Sequence, residues 1–291
     1  MRFKDRSLPY FMLLPMIAIM LGLVYYPIAM TFTYSTRNMI LTKPKEAGFI
    51  GFKNYFKLLQ DPDVGKAFFN SLYILVLVIV LTIIIGLLFA LLLKRDTKIK
   101  GALTAIAIIP WALPPIVNGV MWRWVFHPSY GIINKILALQ GSMDEPIMWL
   151  TEKWLVLSIV ALVAAWRSIP LACVTFLATL QSIPDHLYES ACIDGCNKFA
   201  EFRRITLPLL RPAMGIILTT TSISAINVFD EIVTLSGFGN ATKTVMVETY
   251  MRSFKFLNFG EGSALIYLAM IATSIFGIFY ARSVYKEVEY L

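Results

Sequence analysis

Long apolar runs alternate with short polar ones along this chain. The apolar runs lie near 10–34, 68–93, 102–126, 154–180, 209–235 and 263–280, and each approaches the roughly 20 apolar residues that a helix needs to cross a bilayer. The pattern predicts an all-α integral membrane protein with six transmembrane helices, forming a single domain over 1–291. The runs differ in what interrupts them. The second is almost pure Ile, Leu and Val around Gly86 and reads as scaffold. The third carries Pro110, Pro114, Pro115, Asn118 and Gly119. Proline removes backbone donors and frees carbonyls, which membrane depth tolerates only beside protein or a wet cavity. This run is therefore expected to line a pathway, with a purely structural kink as the alternative; Trp122 and Trp124 follow as interfacial anchors. The fourth carries Trp166-Arg167-Ser168-Ile169-Pro170, and the fifth a run of hydroxyls through Thr221 and Ser224 to Asn227, Asp230 and Glu231. Polar groups at this depth face a bundle interior or a wet cavity. For any one hydroxyl, bonding back to its own helix is an equal alternative.

Composition agrees: 58% of residues are hydrophobic and 15% charged, against roughly half and a quarter in soluble domains. The net charge of +8 would suggest nucleic acid in a soluble protein. Here the bases lie at span edges, where they set orientation. They divide almost evenly between the two sides, so the dense cluster at 94–100 carries the argument for cytoplasmic termini. Residues 1–8 run straight into the first span and do not read as a secretory signal. Between the first two spans, 48–59 has the aromatic and leucine spacing of a short amphipathic helix at the outer surface, and 127–153 reads as a turn-rich outer cap. Cys192 and Cys196 share a helix face, but with only two histidines in the chain they read as packing residues, not metal ligands. An intramembrane enzyme would need a nucleophile with its base, or a metal cluster. Neither is visible, and no phosphate-binding Gly-x-x-x-x-Gly-Lys element occurs.

Residues 182–212 are the odd part out, a long polar run between two apolar ones. It contains Glu189, Ala191, Asp194 and Gly195, then Phe202, Ile205, Leu207, Pro208 and Pro212. The apolar spacing predicts two short helices meeting at a glycine corner, with Pro208 opening the next helix. This set resembles the cytoplasmic loop of permease subunits in binding-protein-dependent ABC importers, specifically the carbohydrate group that includes the maltose and glycerol-phosphate systems. Ser190 and Cys196 stand where that family usually has alanine, and the Gly-Phe-x-Asn-Tyr segment at 51–55 extends the likeness over nearly the whole chain.

The resemblance implies a type I importer permease fold in a prokaryotic inner membrane. It implies a coupling helix between spans 4 and 5, with Glu189, Ala191, Asp194, Gly195, Phe202, Leu207 and Pro208 meeting a separate ATPase dimer. It also implies a second, related permease subunit and an extracytoplasmic sugar-binding protein. This chain is then expected to bind no cofactor, ATP and Mg being used by the ATPase. The sugar pathway would draw on Trp166, Arg167, Ser168, Thr221, Ser224 and Asn227. Arg167 is expected to face that cavity, not Asp230 or Glu231. At 1.5 Å per residue it lies roughly 20 Å below Trp154, whereas the two acids sit near the outer end of a continuous fifth span. The alternative function is a secondary transporter or channel for a small polar solute, which would not require the loop.

Overall fold

The computed structural model describes residues 3–94, 100–141 and 145–288. Most of the 94–100 basic cluster and Asp144 of the outer cap therefore lie outside the described residues. Helices α1 (Phe3–Met20) and α2 (Tyr26–Ser35) are joined by a π turn, and α3 (Lys53–Gln60) precedes α4 (Pro62–Lys94). Next come α5 (Lys100–Ala112), α6 (Pro115–Val125), α7 (Ile132–Leu139) and α8 (Lys153–Ser182). The polar run holds α9 (Asp185–Ile193), α10 (Lys198–Glu201) and α11 (Leu207–Leu209). After these follow α12 (Arg211–Ile226), α13 (Asp230–Ser236), α14 (Val245–Tyr250) and α15 (Phe259–Val288).

Among the described residues, four helical stretches are long and apolar enough to cross a bilayer, Tyr10–Ser35, α4, α8 and Phe259–Ile278, and two bent pairs raise the number to six if each pair is one span. The first pair, Gly101–Ala112 with α6, is bent by 102°. Pro114 and Pro115 supply no N–H to continue the ladder, and Pro114 sits in extended backbone at ψ 140. The second pair, Lys198–Leu209 with α12, is bent by 62°. The apolar run 209–235 is not one helix, since α12 stops at Ile226 and the chain restarts after Phe229 as α13. Among the described residues, two of three π turns, Leu21–Tyr25 and Phe202–Thr206, end two residues before Pro27 or Pro208. The missing proline donor breaks the regular ladder there, and the helix widens instead of ending.

Contacts divide the chain into two compact units. The first comprises 1–64 and 248–270. The Tyr267 hydroxyl donates to the Ile28 carbonyl at 2.7 Å, and its ring meets Phe32 edge-on. Asn54, buried on α3, donates to the Ser35 and Arg37 carbonyls at 2.9 Å, while Phe52 and Phe56 remain exposed. At its centre is Arg252, buried in a π turn (Met251–Lys255). Its guanidinium donates to Glu248 at 2.8 Å, Glu261 at 2.5 Å and Asp61, and Lys57 pairs with Glu261. Burial alone would lower the Arg252 pKa; the hydrogen bonds to Asp61, Glu248 and Glu261 outweigh it and raise the value above its ordinary one. Leu257 beside it holds φ +54, an uncommon conformation for leucine, kept by Asn258 N–H donating to Arg252 O and Leu41 N–H to Leu257 O.

The second unit comprises 65–247 and 271–291. Its core gathers Ala90 and Leu93 of α4, Ala172, Phe176, Leu177 and Leu180 of α8, and Leu210, Ala213 and Ile217 at the start of α12. Leu187 and Tyr188 of α9 pack against this same core. Gly86 lets α4 and α8 approach closely: a Cβ there would stand 2.8 Å from Ala172 Cβ.

Candidate functional site

The polar run folds into a short helix, a corner and a second helix. Asp194 ends α9, and Gly195 follows at φ +76. Gly195 N–H donates to Cys192 O at 3.1 Å and Cys196 N–H to Ala191 O at 2.9 Å, the paired bonds that close a helix when the next residue is left-handed. Asn197 then starts α10, its side chain accepting from Ala200 N–H at 2.8 Å. Behind the corner Ala191 is buried, and the Tyr188 hydroxyl lies 3.3 Å from Thr206 Oγ1. In front, Glu189, Asp194 and Gly195 are exposed, as are Ile193 at 87% and Phe199 at 72%. Phe202, Leu207 and Pro208 are half-buried where the second helix returns to the membrane. The result is a rigid corner presenting two bare apolar side chains, fixed from behind to α8 and α12.

The middle of α8 and the later turns of α12, with Trp111 of α5, frame a cavity of about 60 Å³. Its polar lining is Trp111, Arg167, Ser168, Thr220, Thr221 and Ser224. Of the six residues that the sequence suggests for the pathway, the structure thus gathers Arg167, Ser168, Thr221 and Ser224. Trp166 and Asn227 are not among the lining residues. The Trp166 indole meets Trp122 edge-on at 5.5 Å, and Trp122 stacks on Phe126. Asn227 caps α12 by donating to Ile223 O at 2.8 Å. Ser168 and Thr220 bond back to Ala164 O and Ile216 O at 3.0 Å. Their hydroxyl hydrogens are spent on the helix, and their oxygens remain acceptors for a ligand.

Arg167 requires a correction. It does line the cavity, yet its Nε also lies 3.4 Å from Glu231 Oε1, the pairing that the depth argument rejected. That argument assumed one continuous fifth helix carrying Glu231 outward. Because α12 ends at Ile226, α13 instead packs on α6 and α8 and returns the acid to the level of Arg167. The two atoms are close in charge but not aligned as a hydrogen bond. Trp111 and Thr220 are the polar lining residues that the sequence did not single out for this site. Trp111 was legible only as the neighbour of Pro110, whose helix packs on α8.

The approach of α13 to α6 depends on Gly119, where a Cβ would overlap Thr234 Oγ1 and stand 3.3 Å from Glu231 Cα. Gly119→Ala should therefore push α13 off α6 and cost about 1–3 kcal/mol, the usual range for overpacking. Thermal unfolding of the purified protein checks this, and an unchanged midpoint would show that α13 yields freely. Among the described residues no group of His, Cys, Asp and Glu could hold a metal ion.

The sequence matches the profile of the binding-protein-dependent transport system inner membrane component over residues 82–289. It is 33% identical over 285 residues to the trehalose/maltose transport system permease protein MalF of Thermococcus litoralis, covering 97% of this chain and 95% of the relative. It is 32% identical over 278 residues to the sulfoquinovosyl glycerol transport system permease protein SmoG of Agrobacterium fabrum, covering 94% and 90%. Its fold matches, with TM-score 0.82 and 22% identity, a chain from a bacterial ABC transporter involved in the import of the acidic polysaccharide alginate, covering 97% of this chain and 96% of that one.

Proposed function

From the premise that this chain belongs to the family of binding-protein-dependent transport system inner membrane components, and so is a permease subunit of an ABC importer, we propose that it forms half of the translocation pathway for a sugar. The single observation that carries the reading is the continuity of two helices. α8 and α12 hold Arg167, Ser168, Thr221 and Ser224 around the cavity, and the same two helices share a core with α9, which presents Ile193 at the corner, with Phe199 following on α10. A hydroxyl-rich lining with a guanidinium suits a polyhydroxy solute. The names of the relatives, a trehalose/maltose permease and a sulfoquinovosyl glycerol permease, support a carbohydrate cargo.

In this reading the chain is one permease domain that pairs with a second permease, receives sugar from an extracytoplasmic binding protein, and takes its energy from a separate ATPase dimer. ATP and Mg belong to that dimer, and the bare corner around Gly195 is its docking point. Glu189 and Asp194, exposed on either side of the apolar contact, orient the docked helix. The test is to purify the assembled importer and screen sugars for ATPase stimulation through the loaded binding protein. A stimulating sugar is expected; stimulation by amino acids alone would sink the carbohydrate reading.

Both termini and 182–212 then face the cytoplasm, which the native thiols can report. Cys192 is exposed. A membrane-impermeant maleimide should leave it unlabelled in intact cells and label it in inverted vesicles, whereas a cysteine introduced at Lys45 should behave oppositely. Labelling of Cys192 in intact cells would invert the topology.

A further inference from the structure

Beside Arg167 stands a carboxylate that the function above does not use. We propose that Glu231 is a specificity-determining residue that keeps the cavity electrically balanced, so that its cargo is a neutral, hydroxyl-rich sugar and not a phosphorylated, sulfonated or uronic one. The proposal rests on the carbohydrate reading and narrows it.

Among the described residues, Arg167 is the only charged one in the cavity's lining, and every other polar group there is a hydroxyl or an indole. A lone guanidinium among hydroxyls would ordinarily mark an anion site, because charge-assisted bonds to phosphate or carboxylate are stronger than neutral ones. Here its charge is already answered. Glu231 is 3% exposed in its side chain and lies 3.4 Å from Arg167 Nε. An anionic cargo would have to leave water and settle beside an acid that it cannot displace, at a depth where opposed charges are weakly screened. A neutral sugar meets no such opposition.

The pair's geometry favours this use. Nε and Oε1 are near enough for strong attraction but not aligned as donor and acceptor, and both atoms are sealed from solvent without a hydrogen-bond partner. The guanidinium is thus neutralised by position, and the N–H groups other than Nε, on a side chain 29% exposed, can donate to sugar hydroxyls. Glu231 is held there by α13, packed on α6 through Gly119, so it acts through Arg167 without lining the cavity itself.

The test measures equilibrium binding to the assembled membrane complex in lipid nanodiscs, without the binding protein, so that only the transmembrane site is read. Probes are matched pairs: trehalose with trehalose 6-phosphate, and glucose with glucuronate. Wild type should prefer the neutral member. Glu231→Gln, nearly isosteric, should shift the ratio toward the anion by about tenfold or more. The double variant Arg167→Gln with Glu231→Gln should restore the neutral preference. A wild-type preference for the anion, or a ratio unmoved in Glu231→Gln, overturns the proposal while leaving the sugar reading intact. Binding of no probe of either charge at roughly millimolar concentration defeats both. If Glu231→Gln does not accumulate, Arg167→Gln decides: its unopposed carboxylate should sharpen rejection of the anion, and an unchanged ratio overturns the proposal.

Discussion

A Gly195→Val variant is expected to insert and accumulate like the wild type and to lose most of its transport. Gly195 holds φ +76, a region where a β-branched residue is a genuine outlier. No atom would lie within 4 Å of an added Cβ, so the penalty is in the backbone and not in a clash. Strain of this kind costs about 1–3 kcal/mol, and at about 1.4 kcal/mol per factor of ten the native corner would become a minor conformer. Loss of the corner frees the bonds from Gly195 and Cys196 N–H to the end of α9 and changes how α9 and α10 are set relative to each other. The span helices are untouched, so membrane insertion should survive. Uptake in cells, alongside co-purification of the ATPase, separates the two effects. Gly195→Asn is the informative companion, because asparagine tolerates the left-handed region and should retain much of the activity. If the valine variant transports normally, the corner is not the coupling element.

The largest loss of stability is expected from Arg252→Met. The guanidinium answers Asp61, Glu248 and Glu261 at once, from a site where it is itself buried. Removing one partner of a buried ion cluster costs about 3–5 kcal/mol, chiefly by leaving the remaining charges uncompensated. Lys57 still reaches Glu261, which places the loss toward the lower end. At about 2–4 °C per kcal/mol for a chain of this size class, the unfolding midpoint should fall by at least roughly 6 °C. Arg252→Lys keeps the charge but not the fork, and should fall between the two. A midpoint within a degree of wild type would mean that the cluster contributes nothing net.

The apolar runs and the glycine corner were legible because each depends on local pattern. Twenty apolar residues can cross a bilayer whatever surrounds them, and Asp194-Gly195 after a helical face specifies its own turn. The cavity was legible in part for the same reason, since Arg167, Ser168, Thr221 and Ser224 are polar exceptions in apolar helices. The Arg167–Glu231 pair was not legible. It depends on a break at Asn227 to Phe229 that contains neither Gly nor Pro, where Asn227 turns its amide back on Ile223 O and α13 begins without a side-chain cap. The cluster around Arg252 joins residues 57, 61, 248, 252 and 261, and only the Glu248 to Arg252 spacing of four is visible along the chain. The packing of Trp166 on Trp122 was not legible either, because a tryptophan that stacks on a sugar and one that meets another indole look alike in sequence.

The shared core of α8, α9 and α12 also imposes a reciprocity. Cavity and corner are carried by the same two helices, and Leu187 and Tyr188 bind the corner to them from behind. Two ligands that bias one mechanical element must influence each other equally, because the free energy of a thermodynamic cycle closes. If the ATPase docks at the corner as proposed, whatever factor docking imposes on the affinity of the cavity, cargo in the cavity imposes that same factor on docking.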